Sequence, residues 1–144
     1  MKKEQLSIIE QVGIMTVIEN ELSNVNSFQF LFKNKKNIKK INENIKDYEE
    51  ILEDLKTPEI NDAFEKMDEY EKRCESFINT PYFTLIGEYN RLINKMKHEK
   101  MEIEIFEIKF SDIPKSMIDE LSIPTLNTLQ ILMLEDEYEK LMID

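Results

Sequence analysis

The sequence predicts a mainly α fold: a helical hairpin with additional helices and a small two-stranded β element. Three observations predict it. Apolar residues recur at alternating steps of three and four through 33–56 and again through 58–79. Thr57-Pro58, Thr80-Pro81 and Ser122-Ile123-Pro124 each place a hydroxyl cap just before a helix-starting proline. The stretch MEIEIFEIKF at 101–110 instead alternates with the period of a strand.

From Glu4 to Leu22, Ile8, Val12, Met15, Ile18 and Leu22 describe one face of a first helix, 4–22. Gly13 lies inside it, where glycine costs about 1 kcal/mol relative to alanine. Ser23-Asn24-Val25-Asn26-Ser27 favours side-chain bonding to its own backbone and predicts a connection. In Phe28-Gln29-Phe30-Leu31-Phe32 the aromatics stand at every second position, predicting a strand at 28–32, with the first turn of the next helix as the alternative.

Helix 33–56 carries the seam Ile38, Ile41, Ile45, Tyr48, Leu52 and Leu55; helix 58–79 resumes it as Ile60, Ala63, Met67, Tyr70, Cys74 and Phe77. Continuing the first register would put Glu59 in the core, so the register shifts at Pro58 and the break is real. Seams of this length predict an antiparallel hairpin of the two helices, with one kinked helix packed against another subunit as the competing geometry. Tyr82, Leu85, Ile86, Tyr89, Leu92, Ile93 and Met96 give a helix at 81–98 its apolar face. In the strand 101–110, Met101, Ile103 and Ile105 share one parity and Phe106, Ile108 and Phe110 the other, which predicts a bulge or a change of buried face. A strand needs a partner, and 28–32 is the best candidate. Two C-terminal helices, 114–121 and 124–141, complete the chain. The second is apolar nearly all round at Leu129, Ile131, Leu132, Met133 and Leu134, which predicts burial or binding to another chain.

The 144 residues are the size of one domain, and no low-complexity linker divides them. No apolar run reaches the about 18 residues of a membrane helix, and the N-terminus has no hydrophobic run followed by a cleavage site. The expected location is therefore the cytoplasm of a host cell or a virion, without secretion. A single cysteine excludes an internal disulfide. The abundance of Asn, Lys and Ile, with two glycines and no tryptophan, resembles coding by an AT-rich bacterial or viral genome.

A formal charge of −11 argues against holding nucleic acid, which depends on neutralising phosphates. The charge is uneven. Residues 33–40 hold five lysines and no acid, residues 41–79 thirteen acids against five bases, and residues 101–144 eleven acids against three bases. Catalytic and ligand chemistry is sparse. One histidine (His98) and one cysteine (Cys74) cannot assemble a zinc site or an oriented Cys-His pair. Cys74 on the seam reads as inert core and His98 as a surface residue at a helix end. The carboxylate runs fill the faces opposite the seams, and two isolated glycines make no phosphate-cradling loop. No catalytic residue, cofactor or metal is expected.

What remains are surfaces. The candidate interaction residues are Lys33, Lys35, Lys36, Lys39 and Lys40 of the lysine block, Ile103, Ile105 and Phe106 of the strand, and Ile131 and Leu134 of the last helix. Aromatic residues beside lysines suit a single-stranded nucleic acid, but the alternation of 28–32 resembles core and the helix turns acidic further on, favouring ionic contact with an acidic surface.

The stretches FQFLFKNKKNIKKINENIKDYEEILEDL, LINKMKHEKMEIEIFEIKFSDIP and LSIPTLNTLQILMLEDE, in this order, resemble a family of small uncharacterised tailed-phage proteins encoded among virion genes. In that family a short helix leads through an extended segment to a Lys-rich start of a helical hairpin, then to a helix ending in a strand, then to a Ser-Pro-capped helix rich in leucine and acids. Residues 57–80 depart from the pattern, the hairpin being longer here. The resemblance implies a phage-associated structural or assembly protein and carries over no catalytic residue. The expectation is a non-enzymatic protein working by surface complementarity, through self-association or a larger assembly, without nucleic acid or membrane. The alternative is an acidic inhibitor that mimics nucleic acid to a host defence protein.

Overall fold

Seven α-helices and one two-stranded antiparallel sheet make up the regular structure of the described residues, 1–143, in the computed structural model. In chain order they are β1 (Lys2–Leu6), α1 (Ile8–Glu21), α2 (Phe28–Leu55), α3 (Pro58–Lys72), α4 (Pro81–His98), β2 (Met101–Ile105), α5 (Lys115–Ile118), α6 (Ile123–Leu132) and α7 (Glu135–Glu139), with 3₁₀ turns at Phe110–Asp112 and Lys140–Met142. The chain divides into two compact units, Met1–Ile45 with Lys100–Asp144, and Lys46–Glu99. One boundary falls inside α2, where no linker composition marks it.

The first unit holds the main core. The expected helix 4–22 starts later, because Ser7 caps it: the hydroxyl accepts the Glu10 N–H at 3.2 Å and the Glu10 carboxylate accepts the Ser7 N–H at 3.2 Å. Lys2–Leu6, left outside the helix, pairs with β2 from Lys2↔Ile105 to Leu6↔Met101. The strand partner is thus β1, and residues 28–32 are helical, forming the first turn of α2. The expected face of α1 is buried at Ile8, Ile18 and Leu22, with Met15 packed against the core, but it is shifted towards Gln11 and Ile14. Gln11, Ile14, Ile18 and Leu22 are buried, whereas Val12 is exposed. Gln11 is tolerated there because it donates to the Leu6 carbonyl and accepts from the Asn44 amide at 3.0 Å.

β2 ends at Ile105, well short of 110. The N–H of Phe106 donates to Asn37 Oδ1 at 2.8 Å and its carbonyl accepts from Asn37 Nδ2 at 3.1 Å, so one side-chain amide takes the place of a neighbouring strand. Beyond it, Ile108 donates to the Leu132 carbonyl at 2.8 Å and bridges Met133 in parallel. That bridge stops the expected helix 124–141 at Leu132. Met133 is extended and fully buried, and Lys2 Nζ donates to the carbonyls of Gln130, Ile131 and Met133 at 2.8–3.2 Å, capping the C-terminal end of α6. The break accounts for most of the all-round apolar face: Leu129, Leu132 and Met133 enter the core and Ile131 packs against it, while Leu134 stays exposed. The helix expected at 114–121 is the single turn α5.

In the second unit the hairpin is made by α3 and α4, not by two helices meeting at Pro58. Phe64 meets Tyr89 edge-on at 6.0 Å, and Phe77 contacts Tyr70, Tyr82 and Phe83 at the closed end. The last turns of α2 reach α4 as well, since the hydroxyls of Tyr48 and Tyr89 donate to the Ile93 and Leu52 carbonyls. Thr57 and Thr80 cap α3 and α4 as expected, and Pro58 and Pro81 open them.

α3 was expected to reach residue 79 and stops at Lys72. Cys74 adopts φ 55°, its N–H donates to the Glu71 carbonyl at 3.1 Å, and the Glu75 N–H returns to Tyr70 at 3.0 Å. These two bonds form a Schellman termination, whose left-handed position normally falls to glycine. Cys74 is therefore exposed in the turn, not core. Because a side chain is strained in that conformation, Cys74→Gly is expected to stabilise the second unit by about 1 kcal/mol. An unchanged urea midpoint would contradict this.

Candidate interaction face

The lysine block and Phe106 meet on one face of the first unit. Residues 28, 32, 36 and 40 follow one another at helical spacing along α2, and β2 delivers Phe106 beside them. Phe28 and Phe32 stack at 5.6 Å while remaining 74% and 45% exposed. Lys36 Nζ lies 4.9 Å from the Phe32 ring centre and 5.1 Å from that of Phe106; Lys40 Nζ lies 5.3 Å from the Phe106 ring and 3.6 Å from Glu104. The result is an exposed strip of aromatic rings and ammonium groups on a protein of net charge −11. Beside it Met1, Lys33, Phe106, Glu107 and Lys109 line a recess of about 250 Å³.

The other candidate residues separate. Lys33 is structural: its ammonium meets Asp112 at 2.6 Å with both side chains largely buried, and Asp112 also accepts the Lys109 N–H. Lys39 is exposed without a carboxylate partner among the described residues, and Lys35 belongs to another face of α2. Ile103 and Ile105 are 5% and 3% exposed, so they are core and not contact residues. Ile131 is half-buried against the core, whereas Leu134 is 41% exposed at the start of α7. Phe28 and Phe32 were missed as surface because their alternation with Phe30 reads as a strand face. Four-residue spacing into Lys36 and Lys40 is the signal that finds them.

Among the described residues no group of three His, Cys, Asp or Glu side chains is placed to hold a metal ion, and no helix is long and apolar enough to cross a membrane. Three carboxylates are held below the usual range: Glu137 by the Phe110 N–H, Glu10 by the Lys100 ammonium, and Glu21 by the hydroxyls of Thr125 and Ser122. A lowered carboxyl pKa stabilises the fold above the ordinary 4.5 and loses that contribution as pH falls through the folded value. The urea midpoint is thus expected to fall as pH drops below about 4.5, and Glu137→Gln to flatten that slope. An identical slope in the variant would count against the assignment.

No protein-family model, curated protein or solved structure matches this chain.

Proposed function

We propose that this is a non-enzymatic interaction protein that works by surface complementarity and associates with itself through the Phe28–Phe32–Lys36–Phe106 face, as a structural or assembly component of a tailed phage. The observation that carries the reading is the exposed Phe28–Phe32 stack, continued by Lys36 against Phe106. Monomeric surfaces seldom leave two aromatic rings open side by side, and aromatics flanked by cations are typical of contact sites. The phage setting rests on the sequence resemblance alone.

Sedimentation velocity over a range of protein concentrations tests it. The native chain should self-associate, the association should persist in high salt, and Phe28→Asp should abolish it. A monomer at every concentration would overturn the self-association. The acidic run 41–79, with its thirteen acids against five bases, supports a second reading in which the protein occupies a basic groove on a nucleic-acid-binding protein. That reading predicts competition with DNA for the host protein and release as salt rises; insensitivity to salt would exclude it.

A further inference from the structure

We propose that the cleft between α1 and α2 binds an extended polypeptide segment of a partner protein, hydrogen-bonding one residue's backbone to Asn34 and seating an aliphatic side chain over Ile18 and Leu22. α2 buries two asparagines one turn apart, Asn34 and Asn37, each only 3% exposed. Asn37 spends its whole amide on one residue, taking the N–H and giving to the C=O of Phe106. In extended backbone those two groups of a residue point to the same side, so a side-chain amide can replace a strand neighbour. Asn34 offers the same donor and acceptor, and neither atom has a partner among the described residues. Buried amides are ordinarily paired, because leaving both atoms without a hydrogen bond is costly.

The cleft above it has a volume of about 290 Å³. Its floor is apolar, with Ile18 and Leu22 almost fully buried, and Leu31 and Ile38 form the α2 wall. Glu19 on the α1 side and Lys35 on the α2 side stand at the rim as opposite charges, neither ion-paired among the described residues. This charge arrangement complements a segment with an aliphatic residue between a basic and an acidic one. Asn34 lines the cleft while its side-chain nitrogen and oxygen have almost no exposed surface, so the incoming backbone must open the lining to reach them. The positions used are distinct from 28, 32, 36 and 40, so the cleft stands independently of the self-association proposed above.

The test uses the full chain, ¹⁵N-labelled, with N-acetyl-leucine N′-methylamide as the probe. The Asn34 side-chain NH₂ and the Ile18 and Leu22 amides should shift saturably. The analogue methylated on the leucine nitrogen, which lacks the N–H that Asn34 would accept, should bind at least tenfold more weakly, and so should the native probe to Asn34→Leu. An unmoved Asn34 resonance, or equal binding of the two probes, overturns the proposal. So would movement of the same resonances on dilution of the protein alone, because a second copy would then be the occupant. Phe28→Asp should leave probe binding unchanged, which separates failure of this site from failure of the self-association face.

Discussion

Phe30→Ala is expected to destabilise the unit built from Met1–Ile45 and Lys100–Asp144 by about 3–5 kcal/mol, the usual cost of removing a fully buried ring. Phe30 is 0% exposed, the largest of the fully buried side chains among the described residues, and it lies one position from neighbours that face water. A strand would set Phe28, Phe30 and Phe32 on one side; the helix turns Phe30 inward and leaves the other two in solvent. Phe28→Ala and Phe32→Ala are therefore expected to change stability by no more than about 0.5 kcal/mol. Urea unfolding of the three variants measures the contrast directly. Three similar losses would indicate a strand-like face and refute the helical placement.

Asn37→Leu is expected to cost about 2–4 kcal/mol, because it leaves the N–H and C=O of Phe106, at a partly buried position, without partners while adding little apolar burial. Asn34→Leu should do the reverse. It removes two polar atoms that have no partner among the described residues, and should leave the midpoint unchanged or raise it. The pair is informative because sequence, helix position and burial are almost the same, and only the hydrogen-bond partners differ. Amide exchange adds a local reading: the Phe106 N–H should lose protection in Asn37→Leu and keep it in Asn34→Leu. Equal destabilisation by both substitutions would show that Asn34 is satisfied within the fold, removing the ground for the α1–α2 cleft as a binding site.

These asparagines also show where reading the sequence reaches its end. Local chemistry was legible: Thr57-Pro58, Thr80-Pro81 and Ser122 start helices because a hydroxyl accepts a backbone N–H three residues on, whatever the rest of the chain does. The heptad seams were legible for a similar reason, since a 3.6-residue period selects one face irrespective of what covers it; all of their positions except Cys74 are at least half-buried. The cluster of lysines on one stretch of α2 and the acidity of residues 41–79 were equally plain.

Tertiary structure decided what depends on partners distant in sequence. Lys2–Leu6 has no strand pattern and becomes one because β2 presents an edge to it; Phe28–Phe32 has the pattern and becomes helix because only Phe30 is needed inside. Met133 leaves its helix to pair with Ile108, and Cys74 takes a left-handed turn that no glycine announces. The candidate face follows the same division. Its lysines could be found from their spacing, but Phe106 joins them through contacts distant in sequence, among them two hydrogen bonds to Asn37 spanning 69 residues. Caps and helical faces are satisfied within a few residues of chain, so sequence alone is enough for them. Strand partners, helix breaks and buried amides are satisfied across the fold, and which of them finds a partner depends on where the whole chain has packed.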